Sequence, residues 1–263
     1  MATELLPTDV RRDKIVSLVR EHEFVTVAKL SAQFAISEVT VRSDLDVLAG
    51  EGRLRRVRGG AIASSGLRLE RSFEETRAAF ADEKALIGEA AADLVSSGET
   101  LILDVGTTTT ALAAALVRRE ELKDLLVLTN ALNIALELEP AASRITVVLT
   151  GGTLRPLQHS LVNPLGGLIL RDINAHTVFL GCNGIDPKGG ITNINLPEAE
   201  IKRLMLGAAR QRIVLADGSK VGLVALAHLC PIAEIDRLIT GRSANEEVVQ
   251  KLIEQGLEVQ VAG

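Results

Sequence analysis

The chain has 263 residues, 47% of them apolar, and a formal net charge of −5, enough for one large or two modest globular units with a full core. It holds no apolar run of membrane-spanning length, and its N-terminus, MATELLPTDVRRDK, lacks the apolar segment of a secretory signal, so a cytoplasmic protein is expected. Cys182 and Cys230 stand far apart and the four histidines are scattered, which argues against a disulfide framework or a metal site, while the lack of Trp and Tyr argues against a single-strand binder built on base stacking.

From Asp9 to His22, Val10, Ile15, Leu18 and Val19 recur at helical spacing with Arg11, Arg12 and Lys14 on the polar side. Thr26 is placed to cap a second helix that runs through Phe34 and buries Val27 and Leu30. After the short break Ala35-Ile36, Ser37 caps a third helix, SEVTVRSDLDVLAGEG, whose apolar face is Val41, Leu45 and Leu48. Three short helices with so small a turn between the last two predict a helix-turn-helix.

The next stretch, RLRRVRGGAIA, predicts a small hairpin about Gly59-Gly60. Arg53, Arg55, Arg56 and Arg58 lie within six residues, and no acid falls between Glu51 and Glu70. A basic hairpin after a recognition helix is a wing. Its Arg55, Arg56 and Arg58 would sit over phosphates or a minor groove of double-stranded DNA, while Ser37, Glu38, Thr40, Arg42 and Ser43 face the major groove. Asp44 and Asp46 are expected off that face, or pinning neighbouring cations. This gives a winged helix-turn-helix domain over residues 1–63, then a polar linker over residues 64–72.

Residues 73–263 form the second domain. Phe73 to Val95 reads as a helix, after which strands and helices alternate: LILD, a helix, LLVLTN, a helix to Leu138, ITVVLTGG, a helix near Leu165 to Leu170, TVFLGC, a helix from Pro197 to Arg210, RIVLAD, and a last strand-helix-strand from Arg237. Such alternation predicts an α/β fold with a mainly parallel sheet. Its ligands would bind beyond the carboxyl ends of the strands. There Gly106, Thr107, Thr108 and Thr109 lead from a strand into a helix, whose free N–H groups and positive dipole end suit a phosphoryl group. An ordinary βα turn capped by Thr107 or Thr108 has the same local sequence. The convergence of other polar strand exits, Asp104, Asn130, Gly152, Asn183 and Asp186, with the loop of Lys220, favours the phosphate reading. Lys220 would supply countercharge, Asp104 would accept sugar hydroxyls or tie down loop donors, and Asn130, Asn183 and Asp186 would partner a polyol. Glu198 and Lys202 are spaced as an i, i+4 pair on one helix.

This order of motifs resembles a known family. The helix at Arg11-Arg12, the string SEVTVRSDLDVL and then LRRVRGGAI are similar to the DNA-binding signature of DeoR-type bacterial transcription regulators. LTN at Leu128, LTGGTLR at Leu149, FLGCNGID at Phe179 and ADGSKVG at Ala216 follow in the order of that family's effector domain. Ala35 departs from the glycine usual in the turn, and Ser43 from a frequent second basic residue. The resemblance implies a ribose-phosphate-isomerase-like effector domain, a phosphorylated sugar or polyol as ligand, Glu198 and Lys202 both facing it, and a repressor of a carbohydrate operon released by that ligand. No cofactor is expected. The two-fold symmetry of operators implies a homodimer or homotetramer. Two alternatives stand beside this: an aldose-ketose isomerase with Glu198 or Asp186 as base, and an architectural protein whose second domain only oligomerises.

Overall fold

The computed structural model describes residues 7–22, 24–50, 53–57, 59–63 and 70–263, and the chain divides into two compact units, Met1–Leu69 and Glu70–Gly263. In the first, α1 (Thr8–His22), α2 (Val27–Phe34) and α3 (Glu38–Gly50) pack with a small antiparallel sheet of β1 (Phe24–Thr26), β2 (Leu54–Val57) and β3 (Gly60–Ala63), in the order β1-β3-β2. Ile15, Val19, Leu30, Val41, Leu45 and Leu48 are fully buried, each contributing about 1.5–3 kcal/mol of transfer free energy. Val10, expected on the apolar side of α1, is instead 44% exposed.

The Thr26 hydroxyl accepts from the Lys29 N–H at 3.1 Å, and that of Ser37 from the Thr40 N–H at 3.1 Å, so both expected caps are made. Ala35 ends α2 in the left-handed conformation, φ 52°, and donates its N–H back to the Ser31 carbonyl. Strand β1 has no counterpart in the sequence reading. It forms because Gly60 lets β3 come close: a side chain there would lie 2.2 Å from the Val25 carbonyl oxygen.

The second unit centres on a seven-stranded sheet, every adjacent pair of which is parallel. In chain order its elements are α4 (Phe73–Ala78), α5 (Ala81–Ala92), β4 (Thr100–Leu103), α6 (Thr107–Arg118), β5 (Leu125–Thr129), α7 (Leu132–Leu138), β6 (Ile145–Leu149), β7 (Thr153–Arg155), β8 (Ser160–Val162), β9 (Ala175–Gly181), β10 (Gly184–Asp186), β11 (Gly190–Asn193), α8 (Leu196–Gly207), β12 (Ala209–Ala216), β13 (Ala227–Cys230), β14 (Arg237–Gly241), α9 (Glu246–Glu254) and β15 (Glu258–Ala262). The large sheet runs β15-β14-β12-β9-β4-β5-β6; β7 and β8 form a hairpin, and β10, β11 and β13 a small antiparallel sheet. Side chains alternate across the sheet: Leu101 and Leu103 pack in one core with Leu112 and Leu116 of α6, and Ile102 in another with Ile201 and Met205 of α8. Both cysteines are free thiols, Cys230 in that second core and Cys182 packed on it.

Three expectations need correction. The helix read over Phe73 to Val95 is two helices, broken where Ala79 is extended and Phe80 left-handed at φ 55°. The helix expected near Leu165 to Leu170 is a pair of short 3-10 turns, where Gly166 and Gly167 pack too closely for side chains: one at Gly166 would lie 2.8 Å from the Gly151 carbonyl oxygen, and one at Gly167 2.7 Å from the Leu204 side chain of α8. Of the linker read from composition, residues 64–69 lie outside those described, whereas Glu70 to Ser72 belong to the second unit; Ser72 forms a capping box with Glu75 on α4.

Candidate functional site

In the first unit α3 turns Ser37, Glu38, Arg42 and Ser43 outward, with Thr40 half-buried. Val39, 72% exposed, shares that stretch and was not among the expected contacts; an apolar side chain there suits a thymine methyl, and its exposure is the signal. Arg42 pairs with Glu38 at 2.5 Å, and Arg56 of β2 reaches Asp46 and the Arg42 carbonyl, both at 3.0 Å. The wing is thus held against the exposed face of α3, with Asp46 pinning a cation as expected. Arg55 lies in β2, its side chain outside the described residues; so does Arg58 as a whole. Asp44 is 2% exposed, with one oxygen on Arg11 at 2.8 Å and the other on Arg12 at 2.9 Å. Burial alone would raise its pKa, but the two guanidiniums hold it below the usual carboxylate range.

In the second unit the chain runs outward from β4 to β6 on one side and then returns to β9 on the other, so the switch point lies between β4 and β9. Asp104, directly after β4, is fully buried there. Its Oδ2 accepts from the Gly181 N–H at 3.0 Å and from the Lys202 ammonium, which also donates to the Gly181 carbonyl at 3.0 Å. Its Oδ1 is buried with no hydrogen-bond partner among the described residues. Burial pushes the Asp104 pKa up to about 6 against the pull of Lys202.

Beside it, Gly106 leads into α6, and its carbonyl accepts the Thr109 hydroxyl at 2.9 Å and the Thr110 hydroxyl at 2.7 Å. Those two hydroxyls therefore close the turn. The hydroxyls of Thr107 and Thr108 make no hydrogen bond among the described residues, and the first N–H groups of α6 lack intrahelical acceptors. Lys220 is half-buried, with no ion pair or hydrogen bond of its side chain among the described residues.

Glu198 and Lys202 are both buried on one face of α8, but they do not pair with each other. Lys202 takes Asp104, while Glu198 Oε1 accepts from Arg155 and, at 2.5 Å, from the Ser160 hydroxyl. Arg155 reaches on to Glu70 at 2.5 Å. Arg155, Ser160 and Glu70 were missed as site residues; LTGGTLR marked the arginine, but its partners lie 43 and 85 residues away. Lys84 of α5 was missed too. It is 3% exposed, donates to the Thr76 carbonyl at 2.5 Å and to that of Ala79, and lies 3.8 Å from Asp217; burial lowers its pKa while Asp217 opposes the shift.

Other expected ligands have structural partners. Asn130 accepts from the Val105 N–H at 2.9 Å and donates to the Leu161 carbonyl. Asn183 accepts from the Ile194 N–H at 2.9 Å. Asp186 accepts from the amides of Lys188 and Gly189, both at 2.8 Å, closing the β10–β11 turn. Gly152, φ 121°, lies so close to β8 that a side chain there would be 2.2 Å from the Val162 carbonyl oxygen. Among the described residues no cluster of His, Cys, Asp or Glu could hold a metal, and no helix is long and apolar enough to cross a membrane.

A helix-turn-helix unit with outward cations, followed by a parallel α/β unit with a charged crevice at its switch point, defines a DNA-binding regulator with a separate second domain. Residues 11–66 match the DeoR-like helix-turn-helix domain and residues 79–242 the DeoR C-terminal sensor domain, and the chain belongs to the DeoR family of transcriptional regulators. It is similar to the HTH-type transcriptional regulator GolR of Listeria innocua, 32% identical over 96% of this chain and 98% of that one. The HTH-type transcriptional regulator GlpR of Haloferax volcanii is 31% identical over 97% and 98%, and the glycerol-3-phosphate regulon repressor of Escherichia coli 27% over 95% and 98%. Among solved structures, the full-length sorbitol operon regulator SorC of Klebsiella pneumoniae aligns over 94% of this chain and 99% of that one, at 14% identity and a TM-score of 0.42. The ribose 5-phosphate isomerase A of Methanocaldococcus jannaschii aligns over 54% and 55%, at 17% and 0.41. The relatives are named as regulators, and this chain is a regulator rather than the isomerase weighed from its sequence.

Proposed function

We propose that the protein represses a carbohydrate operon and leaves its operator when a phosphorylated sugar or polyol enters the crevice at the β4–β9 switch point. The observation that carries this reading is Asp104: a buried carboxylate with one oxygen on Lys202 and the other unpartnered among the described residues, two residues from Gly106. A buried acceptor without a donor is costly, and a sugar hydroxyl supplies one. The unengaged hydroxyls of Thr107 and Thr108 and the N–H groups of α6 suit the phosphoryl group, with Lys220 as countercharge and Lys84 behind it. A relative named for the control of phosphorylated-polyol metabolism, the glycerol-3-phosphate regulon repressor, agrees with a ligand of this class.

On the DNA side, Ser37, Glu38, Val39, Thr40, Arg42 and Ser43 read the major groove and Arg55, Arg56 and Arg58 hold the backbone. A homodimer or homotetramer presents two such helices to half-sites about one helical turn apart or a multiple of it. A 100-fold release needs a coupling of about 2.7 kcal/mol, within the ordinary allosteric range.

The test is fluorescence anisotropy of labelled DNA from upstream of the protein's own gene, at fixed salt, titrated with protein and then with a panel of sugar phosphates and the free sugars. Salt-dependent binding reversed by one phosphorylated member is the expected result. Reversal by a free sugar with no response to its phosphate would overturn the phosphate assignment.

A further inference from the structure

The start of the second unit is fastened to one hairpin. Glu70 is the unit's first residue, so its position sets where the chain leaves toward the DNA-binding unit. Glu70 takes Arg155 of β7; the Arg71 carbonyl accepts from Gln158 at 2.5 Å; the Phe73 N–H donates to the Leu157 carbonyl at 2.9 Å; Glu74 lies 2.8 Å from His159, whose ring meets that of Phe73 edge to face at 5.4 Å. Every one of these partners belongs to β7 or to the turn between β7 and β8.

The same hairpin is fastened to the ligand crevice. Arg155 and Ser160 are directly opposed across it, and both hold the single oxygen Glu198 Oε1. The Leu161 N–H donates to the Asn130 carbonyl at 2.7 Å, and the Leu132 N–H to the His159 carbonyl at 3.0 Å. One guanidinium thus stands between two carboxylates, Glu198 on the crevice side and Glu70 at the head of the unit, with side chains 18%, 5% and 13% exposed. In so dry a place the three groups respond strongly to any change in hydrogen bonding at one of them.

We propose that the β7–β8 hairpin is the element through which the crevice is read out, with Arg155 as the positioning residue that divides itself between Glu198 and Glu70. A ligand hydroxyl donated to Glu198 replaces part of the Arg155 interaction, shifts the guanidinium toward Glu70, and resets the segment Glu70 to Glu74. This rests on the crevice being the effector site, but the coupling itself is measured without any effector. A packed hairpin with two charge arrangements is the kind of discrete element allosteric coupling requires.

The experiment is hydrogen exchange by mass spectrometry on the full chain, free of sugar phosphate, reading the segment 70–80 with β14 and β15 as the internal control. Glu70→Gln, which loosens the segment directly, is expected to speed its exchange about 10-fold. Glu198→Gln touches none of those residues, yet is expected to change exchange in the same segment by at least about threefold and leave the control strands alone. Ser160→Ala repeats the test should Glu198→Gln fold poorly. Arg155→Lys keeps the charge but cannot span two carboxylates, and is expected to make the segment indifferent to Glu198→Gln. Exchange over 70–80 within error of wild type in both Glu198→Gln and Ser160→Ala overturns the proposal, as does a segment that Arg155→Lys leaves fully coupled. A failure of the sugar-phosphate reading would show elsewhere, in an operator complex that no sugar phosphate releases.

Discussion

Asp44 in the N-terminal unit and Arg155 in the second hold opposite positions in the same kind of triad: the first is a carboxylate between two guanidiniums, the second a guanidinium between two carboxylates. Asp44 gives each arginine its own oxygen and so clamps α1 to α3 with nothing left to exchange. Arg155 shares Glu198 Oε1 with Ser160, and its two carboxylate partners come from separate parts of the unit, Glu198 from α8 and Glu70 from its head. A clamp with saturated partners fixes a surface, which is what DNA reading requires of α3. A shared partner leaves an interaction that a competitor can displace, which is what sensing requires.

The largest test of this contrast is Lys202→Met, which strands a fully buried Asp104; the second unit should lose about 3–5 kcal/mol in calorimetry, with the N-terminal unit unmoved. Adding Asp104→Asn should recover most of the loss. In the N-terminal unit Asp44→Asn should cost about 3 kcal/mol, read as an early melting transition of that unit alone. Melting of both units in one transition would show them coupled instead. Thr108→Glu should raise the sugar-phosphate midpoint of operator release by about 100-fold or more, equivalent to about 2.7 kcal/mol, while operator affinity holds. Arg42→Ala should weaken the operator complex by about 10-fold, and Arg56→Ala should lower the salt slope by about one; unchanged binding by the former removes α3 as the reading helix.

A further signal is a slope with pH. Because burial raises Asp104 from 3.8 to about 6, the folded unit holds its proton more tightly than the unfolded chain does. The second unit should therefore lose stability as pH climbs from about 4 through about 6, then level off. Asp104→Asn should flatten that slope, and Asp44, whose shift runs downward, should give the N-terminal unit the reverse trend: stability lost as pH falls through its depressed pKa.

What could be read in advance follows the range of the interaction. Caps at Thr26 and Ser37, the Gly59-Gly60 turn and the strand-helix alternation are local, and a few neighbouring residues specify them. Asp104 and Lys202 were both expected at the crevice, yet their bond to each other joins positions 98 residues apart and leaves no trace in spacing. The i, i+4 rule even suggested the wrong partner, since Glu198 and Lys202 each find a better one off the helix. Asn183 and Asp186, read as ligands, also have structural uses: Asp186 closes its turn and Asn183 holds the Ile194 amide, and short polar side chains at strand ends carry either meaning. Lys84 had no signal in an Ala- and Glu-rich helix, nor Glu70 in a polar stretch read as linker; only burial and their partners distinguish them.

Ala35 carries a consequence for the protein's lifetime. A left-handed alanine costs about 1 kcal/mol, and against the marginal stability of so small a domain this multiplies the unfolded fraction about fivefold. Each such opening is an opportunity for a protease, so Ala35→Gly is expected to slow the regulator's degradation in a cell.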